Sequence, residues 1–215
     1  MSNASCAADA ARELLEEREL ACAFLSMAYL QEVNAEFLER LRDEPPALEG
    51  EMGAFAASLA EADLEEVRKD LAAEYARIFL GMSASPVAPY ESVYTSELHL
   101  LMQEARDDVR RVFRAEGFAV ASDVRLPEDH VAFELEFMGR MCRKELDALA
   151  SGDAEGALRC REVQRGFFAG HLANWLPAFC DDVRKRARTP FYRGVVELTE
   201  SYLDAERAAL AEDAA

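Results

Sequence analysis

Apolar residues recur at helical spacing along most of this chain. One such stretch begins after Asp63, a residue type that caps helix N-termini, and ends at Gly81, a residue type that ends helices. Its apolar positions, three or four residues apart, are Leu64, Val67, Leu71, Tyr75 and Ile78. This spacing predicts an amphipathic helix over about 63–81.

Two further helices carry start signals of their own. Pro127 precedes an apolar series that ends at Gly152, and Thr189 with Pro190 forms a cap followed by a proline in the first turn. The first series is Val131, Leu135, Met138, Cys142, Leu146 and Leu149, and the second is Phe191, Val195, Leu198 and Tyr202. Helical spacing also covers about 7–32, 34–43, 47–60, 94–116 and 154–186, with a break near Gly170.

No segment alternates apolar and polar residues over enough positions to demand a strand. The pattern therefore predicts an all-α protein, a single helical domain of about eight to ten helices over residues 1–215. Two irregular stretches, 81–93 and 117–127, contain prolines and glycines where helices must stop. They are either plain connectors or loops that display binding residues on a rigid frame, and 117–127 could also act as a hinge.

Charge narrows the range of partners. The 42 acidic and 24 basic residues leave a formal net charge of −18, which disfavours nucleic acid and anionic membranes and attracts a basic partner. A simple role in solubility is the alternative. The five cysteines include no C-x-x-C pair, and Cys22, Cys142 and Cys180 lie in apolar stretches, as expected of buried free thiols in a reducing compartment.

The N-terminal stretch carries glutamates where a signal peptide would need a basic segment and an apolar run. No stretch approaches the roughly 20 apolar residues of a membrane span. We therefore expect a cytoplasmic protein without stable membrane insertion.

The end of the 63–81 helix has an apolar face made of Tyr75, Ile78 and Phe79. Such a stripe is typical of a core, but the loop that follows adds a proline and two tyrosines, which are common in peptide-binding surfaces. These residues are Pro89, Tyr90 and Tyr94. If the face lines a cleft, we expect Phe79 to be partly buried and Tyr75 to be more exposed.

The segment Pro127-Glu128-Asp129-His130 has two interpretations. A proline and two carboxylates suit the positive end of a helix dipole, so the segment could serve only as a helix start. His130 is four residues before Glu134, so the two could pair on one helix face, either as a structural contact or as part of a functional site.

Catalytic motifs are missing from the sequence. It has no G-x-x-x-x-G-K-[ST] phosphate loop, and Ser92 is not in a G-x-S-x-G elbow. A metal enzyme built on His130 and Glu134 is a third alternative, but the Glu-x-x-His pairs of di-iron bundles do not occur. We expect no catalytic residue, no metal and no cofactor.

Together these segments resemble the TorD/DmsD family of cytoplasmic chaperones for molybdoenzymes. The resemblance is carried by 74–81 (EYARIFLG), 88–94 (APYESVY), 127–130 (PEDH) and the helix around Trp175, and it covers about 70–205. It implies an all-helical fold and a cleft that binds a twin-arginine signal peptide. The implied residues are Tyr75, Ile78 and Phe79 on one wall, Pro127, Asp129 and His130 on the other, and Pro89, Tyr90 and Tyr94 in the loop between them.

The implied partner is the apo form of a molybdopterin oxidoreductase similar to DMSO or TMAO reductase, held until its cofactor is inserted and it is exported. In that setting Asp129 would meet the arginines of the signal peptide, and the chaperone would be a monomer or a homodimer. The alternative is an assembly protein of the nitrate-reductase type, which docks a catalytic subunit without a leader peptide.

Overall fold

The computed structural model describes residues 3–121 and 123–211, with side chains from residue 9 onward. This part of the chain forms ten α-helices, and its one β contact is an isolated bridge, so the predicted all-α class is confirmed. The helices are α1 Asn3–Leu30, α2 Ala35–Asp43, α3 Gly50–Ser58, α4 Leu64–Phe79, α5 Glu91–Thr95, α6 Glu104–Ala115, α7 Val131–Ser151, α8 Ala154–Phe167, α9 Ala173–Arg186 and α10 Pro190–Ala211.

Several helix ends lie where the sequence predicts them. The Asp63 carboxylate accepts hydrogen bonds from the backbone N–H groups of Glu65 (3.0 Å) and Glu66 (3.3 Å) at the start of α4. Gly152 ends α7 in the left-handed conformation at φ 79°, which glycine adopts without steric cost. The predicted break near Gly170 is a π-helical turn, Phe168–Leu172, between α8 and α9.

The predicted helix over 94–116 is wrong in its first half. Helix α5 ends at Thr95, and the chain is irregular until α6 begins at Glu104. His99 and Met102 adopt left-handed backbone angles (φ 51° and 61°), which a right-handed helix excludes. The apolar residues of this segment have helical spacing, but they do not form a helix.

The start of α7 also differs from the prediction. The helix begins at Val131, and His130 is its N-cap, because His130 Nδ1 accepts a hydrogen bond from the Ala132 N–H (3.1 Å). Pro127 and Asp129 therefore lie in a turn before the helix. The structure shows other partners for the two residues that could have paired, because His130 Nδ1 accepts from the Ala132 N–H and Glu134 Oε2 accepts from the Trp175 indole N–H.

The helices enclose one aromatic-rich core. Helix α1 packs along α7, α7 along α8, and α10 against α3 and α9. A buried ion pair between Arg18 Nε and Glu206 Oε1 (2.6 Å) joins α1 to α10. Cys22, Cys142 and Cys180 are buried free thiols, as predicted, whereas the Cys6 side chain lies outside the described residues.

Two regions bear on the remaining expectations. The proposed hinge over 117–127 includes Ser122, which lies outside the described residues, so the hinge stays a prediction.

Within 3–121 and 123–211, none of the helices combines the length and the apolar character that crossing a bilayer requires.

Candidate peptide-binding site

The two segments singled out from the sequence are hydrogen-bonded to each other. We call residues 81–93 the Pro/Tyr loop and residues 127–130 the Asp-His turn. The Glu91 N–H donates to the Asp129 carbonyl (3.0 Å), the Val131 N–H donates to the Pro89 carbonyl (2.9 Å), and the Ser92 N–H donates to Asp129 Oδ2 (2.9 Å). The fold thus brings together two stretches that are almost forty residues apart in sequence.

His130 and Tyr90 form the contact at the centre of this junction. They make the isolated β-bridge, and their rings lie 5.0 Å apart, edge to face. Burial lowers the pKa of His130 to about 4, so its imidazole is neutral at physiological pH. Tyr90 is only partly buried, and it therefore presents part of its surface to solvent.

Asp129 holds the Pro/Tyr loop in place. Its side chain is fully buried, its Oδ2 accepts the bond from Ser92, and its Oδ1 has no hydrogen-bond partner among the described residues. Burial raises the pKa of this carboxyl group. In this conformation Asp129 does not reach a peptide, so its direct role is to position the loop.

Two further buried carboxyl groups connect neighbouring elements, because Glu91 joins the loop to the π-helical turn and Glu134 joins α7 to α9. Glu91 Oε2 and His171 Nδ1 lie 2.8 Å apart, and the Trp175 indole N–H donates to Glu134 Oε2 (3.0 Å). Glu134 is fully buried, and burial followed by the neighbouring Glu91 raises its pKa well above the ordinary value. The protonated form of Glu134 is therefore favoured in the folded protein.

The end of α4 is more deeply buried than a cleft wall would be. Tyr75 is 5% exposed and Ile78 is fully buried, whereas Phe79 is partly buried. The expectation that Tyr75 is more exposed than Phe79 is therefore wrong. The reason is a specific contact, because the Tyr75 hydroxyl donates to the Tyr29 carbonyl (3.1 Å) in the last turn of α1.

Aromatic side chains connect α4 with α5 and α9. The ring of Phe179 lies 6.4 Å from that of Phe79 and 6.2 Å from that of Tyr94, and Tyr94 lies 5.4 Å from Trp175. Trp175 and Phe179 were not among the predicted site residues. Their i, i+4 spacing on an apolar helix was a usable signal for a shared face.

A groove of about 530 Å³ runs between the Pro/Tyr loop and α9, and we call it the α9 groove. Tyr94 and two aspartates contribute to its walls, and the Tyr94 hydroxyl lies 3.5 Å from Asp182 Oδ2. Asp182 also pairs with Lys185 (3.2 Å) at the surface. The lining residues are Pro86, Val87, Ala88, Val93, Tyr94, His99, Ala178, Asp181, Asp182 and Lys185.

The nine predicted residues thus divide into two groups. Phe79, Tyr90, Tyr94 and Pro127 are partly exposed and accessible to a ligand. The buried group, which supports the accessible residues from within, comprises Tyr75, Ile78, Pro89, Asp129 and His130.

A second groove, which the sequence did not predict, lies between α1 and α10. Its volume is about 650 Å³, and its lining is almost entirely apolar, with Leu14, Leu20 and Phe24 from α1. We call it the α1 groove. A signal was present in α1, where Leu20 and Phe24 share a helix face through their i, i+4 spacing, and Leu20 is 70% exposed.

Comparison with known proteins agrees with the resemblance seen in the sequence. The model of the family described as nitrate reductase delta subunit matches residues 45–181. The chaperone protein TorD of Photobacterium profundum is 30% identical over 146 residues, which is 68% of this chain and 66% of the relative. TorD proteins of Vibrio cholerae serotype O1 (28% over 150 residues, 70% of this chain and 66% of the relative) and Aliivibrio fischeri (27% over 168 residues, 78% and 76%) are similar.

For the first two of these relatives the match spans slightly less than two thirds of their length. The relatives carry the name of a chaperone, in agreement with the expectation that this chain is not an enzyme. With the family model covering well over half of the chain, the chain belongs to the nitrate reductase delta subunit family, the TorD-like family of chaperones.

Proposed function

We propose that this protein is a cytoplasmic chaperone that binds the twin-arginine signal peptide of a molybdoenzyme. The client would be the apo form of an oxidoreductase similar to DMSO or TMAO reductase. The chaperone would hold the peptide until cofactor insertion is complete and the client can be exported. No bond is made or broken in this role.

The observation that carries the proposal is the composition of the α9 groove. A twin-arginine leader offers basic residues followed by an apolar segment, and the groove offers Asp181 and Asp182 beside Pro86 and Tyr94. Carboxylates bind guanidinium groups with directional, charge-assisted hydrogen bonds, while the proline and tyrosine supply apolar contact area.

The existing ion pairs of the groove are compatible with such a ligand. Asp182 pairs with Lys185 and with Arg186 (3.7 Å), and Asp181 pairs with Arg184 (3.1 Å), in each case between residues about one helical turn apart on α9. The side chains of these pairs are between 27% and 67% exposed, and ion pairs that solvent reaches contribute little to stability. An incoming arginine could therefore replace these cations at small cost.

The name of the matching family supports a second candidate, an assembly protein that docks the catalytic subunit of a nitrate-reductase-type enzyme without a leader peptide. The same acidic surface would then bind a basic face of the folded subunit. The two candidates differ in whether an isolated leader peptide suffices for binding.

Calorimetry of the full-length protein with synthetic leader peptides tests the proposal. We expect a saturable complex with a leader that carries the paired arginines, and weaker binding when both arginines are replaced by glutamine. Tight binding of a folded subunit that lacks its leader, together with no binding of any leader, would favour the assembly protein instead.

The substitution Asp182→Asn links this binding to the α9 groove. A charge-assisted contact is worth roughly 1.5–3 kcal/mol, so the variant should bind the arginine leader at least about tenfold more weakly and the glutamine leader unchanged. Asp204→Asn, at an exposed aspartate of α10, is the matched control and should leave both affinities unchanged. Equal losses for the two leaders in the Asp182 variant would argue against an arginine contact there.

A further inference from the structure

The segment between α5 and α6 exposes an unusual amount of apolar surface. We call residues 97–103 the apolar loop, and its four large apolar side chains are Leu98 (68% exposed), Leu100 (55%), Leu101 (45%) and Met102 (58%). Contiguous apolar surface of this kind is rare on soluble proteins and marks interaction sites. The loop is separate from the nine residues predicted to bind the peptide.

The apolar loop has a defined conformation. His99 Nδ1 lies 2.8 Å from the Val93 carbonyl, and the Gln103 N–H donates to Ser92 Oγ (3.2 Å). His99 and Met102 hold left-handed backbone angles, which are strained in residues other than glycine. The fold thus retains a strained backbone in which the leucines remain in solvent rather than joining the core.

Charge around the loop indicates what kind of partner it fits. Residues 97–104 contain two acids, Glu97 and Glu104, and no lysine or arginine, whereas Asp107 and Asp108 farther along pair with Arg106 and Arg111. A second copy of this chain would bring the same acids against each other, and an anionic bilayer would be repelled. A partner with an apolar segment and adjoining basic residues is complementary both to the apolar side chains of the loop and to the acids beside them.

The position of the loop agrees with this partner. His99 belongs to the apolar loop and also lines the α9 groove, so the loop adjoins the groove that carries Asp181 and Asp182. A leader has the same arrangement, with basic residues adjoining an apolar stretch. The α1 groove is also apolar, but none of its lining residues belongs to the α9 groove.

We infer that the apolar loop binds the apolar segment of the client's leader peptide while the basic residues of the leader occupy the α9 groove. This inference rests on the proposed function. Burial of the exposed leucines and methionine against the leader supplies the hydrophobic part of the affinity, and the acids beside them fix the direction in which the peptide lies.

The test compares two peptides and three variants by calorimetry. One peptide is the complete leader, and the other is its basic half alone. The loop variant carries Leu98→Ser and Leu101→Ser, both at exposed positions, so it should fold normally, and circular dichroism checks this. The controls are Leu158→Ser, at a 63% exposed leucine of α8, and Leu20→Ser in the α1 groove.

We expect the loop variant to bind the complete leader at least about tenfold more weakly than the wild type and to bind the basic half equally well. Both controls should bind the complete leader like the wild type. Unchanged binding of the complete leader by the loop variant would overturn the inference but leave the proposed function intact. A loss caused by Leu20→Ser instead would assign the apolar segment to the α1 groove.

Two further outcomes would also overturn the inference. If the wild type binds no leader at all, the proposed function and the inference fail together. If the loop variant retains leader binding but loses self-association in sedimentation, or loses binding to anionic vesicles, the occupant of the loop is a second copy or a membrane.

Discussion

Single ionisable residues determine the geometry where the Pro/Tyr loop meets the Asp-His turn. Asp129 and Glu134 are fully buried carboxyl groups with raised pKa values, and His130 is a buried imidazole with a lowered one. All three shifts have burial as their largest cause, and all three favour the neutral form. The junction therefore depends on directional hydrogen bonds, such as that from the Ser92 N–H to Asp129 Oδ2, at groups whose charged forms burial disfavours.

The first prediction at this scale concerns acid stability. His130 is neutral when folded, with a pKa of about 4, whereas in the unfolded chain it gains a proton below about 6.5. The contribution of the neutral His130 imidazole to folding stability is therefore complete above pH 6.5 and is lost as the pH falls toward 4. His130→Asn keeps an N-cap acceptor but cannot titrate. Between pH 7 and pH 4.5, the free energy of unfolding of the wild type should therefore fall by about 2–3 kcal/mol more than that of the variant.

Denaturant unfolding at a series of pH values measures this difference. His99→Asn leaves His130 in place and serves as the control, so it should keep the acid dependence that His130 causes. If the His130 variant loses stability with acid as steeply as the wild type, the buried imidazole is not the group responsible.

At the scale of elements, α4 is both a core helix and the support of the site. Tyr75 and Phe79 have neighbouring rings, 5.2 Å apart, yet one is buried against α1 and the other is partly exposed beside Phe179. The predicted wall of the candidate site is therefore a thin aromatic layer whose inner side is the protein core. A substitution on its inner side should change stability before it changes binding.

Tyr75 tests this arrangement with two substitutions. Tyr75→Phe removes only the hydrogen bond to the Tyr29 carbonyl and should lower the free energy of unfolding by about 1 kcal/mol. Tyr75→Ala also removes the buried ring and should cost about 3–5 kcal/mol, as much as Leu71→Ala one turn earlier. Chemical denaturation measures both, and calorimetry should find the affinity for a leader peptide unchanged in Tyr75→Phe.

A small loss for Tyr75→Ala beside a large loss for Leu71→Ala would mean that the ring lies in an open cleft in solution. That result would restore the expectation, drawn from the sequence, that Tyr75 is more exposed than Phe79.

The elements that could be predicted from sequence are those with local causes. The ends of α4 and α7 follow from Asp63 and Gly152, whose side-chain oxygen and missing Cβ act on their own neighbours. The apolar loop was predicted as helix because Leu98 and Leu101 have helical spacing, whereas a tertiary bond from Gln103 to Ser92 sets the true start of α6. Contacts distant in sequence were not predictable in this way.

The difference between local causes and contacts distant in sequence also explains how much of the candidate site could be predicted. The sequence pattern identified the Pro/Tyr loop and the Asp-His turn, but not their mutual hydrogen bonds. The burial of Asp129 and Tyr75 depends on α1 and on the loop closing over them, which no local pattern records. Residue type therefore predicted a site at these two segments, and packing decides which of their residues a ligand can reach.

At the scale of the whole molecule, the net charge of −18 governs encounter with a basic partner. Many of the surface bases are already paired with acids, as Arg143 is with Glu19 and Arg184 with Asp181. The excess of acids therefore produces a negative field around the protein. Such a field raises association rates with cationic ligands and is screened by salt.

The prediction for the whole molecule is a salt-dependent association rate. Between about 20 and about 500 mM salt, the rate constant for an arginine leader should fall by roughly tenfold, and that for its glutamine counterpart much less. Stopped-flow fluorescence with labelled peptides measures both rate constants. Equal salt dependence for the two peptides would mean that the net charge serves solubility and does not steer the ligand.

The π-helical turn at Phe168–Leu172 has a consequence for how the gene can change. A π turn holds one residue more than the α-helix around it, so deleting Ala169 or Gly170 could restore an unbroken helix from α8 to α9. Because the π turn accommodates its extra residue in one wider turn, the residues beyond the deletion would keep nearly the same orientation around the helix axis. Trp175 would still face Glu134, and Phe179 would still face Phe79 and Tyr94. Loss of one residue from a regular turn of α8 or α9 would instead rotate everything beyond it by about 100°. In-frame deletion of a single residue should therefore be tolerated better at this turn than within the regular turns of either helix.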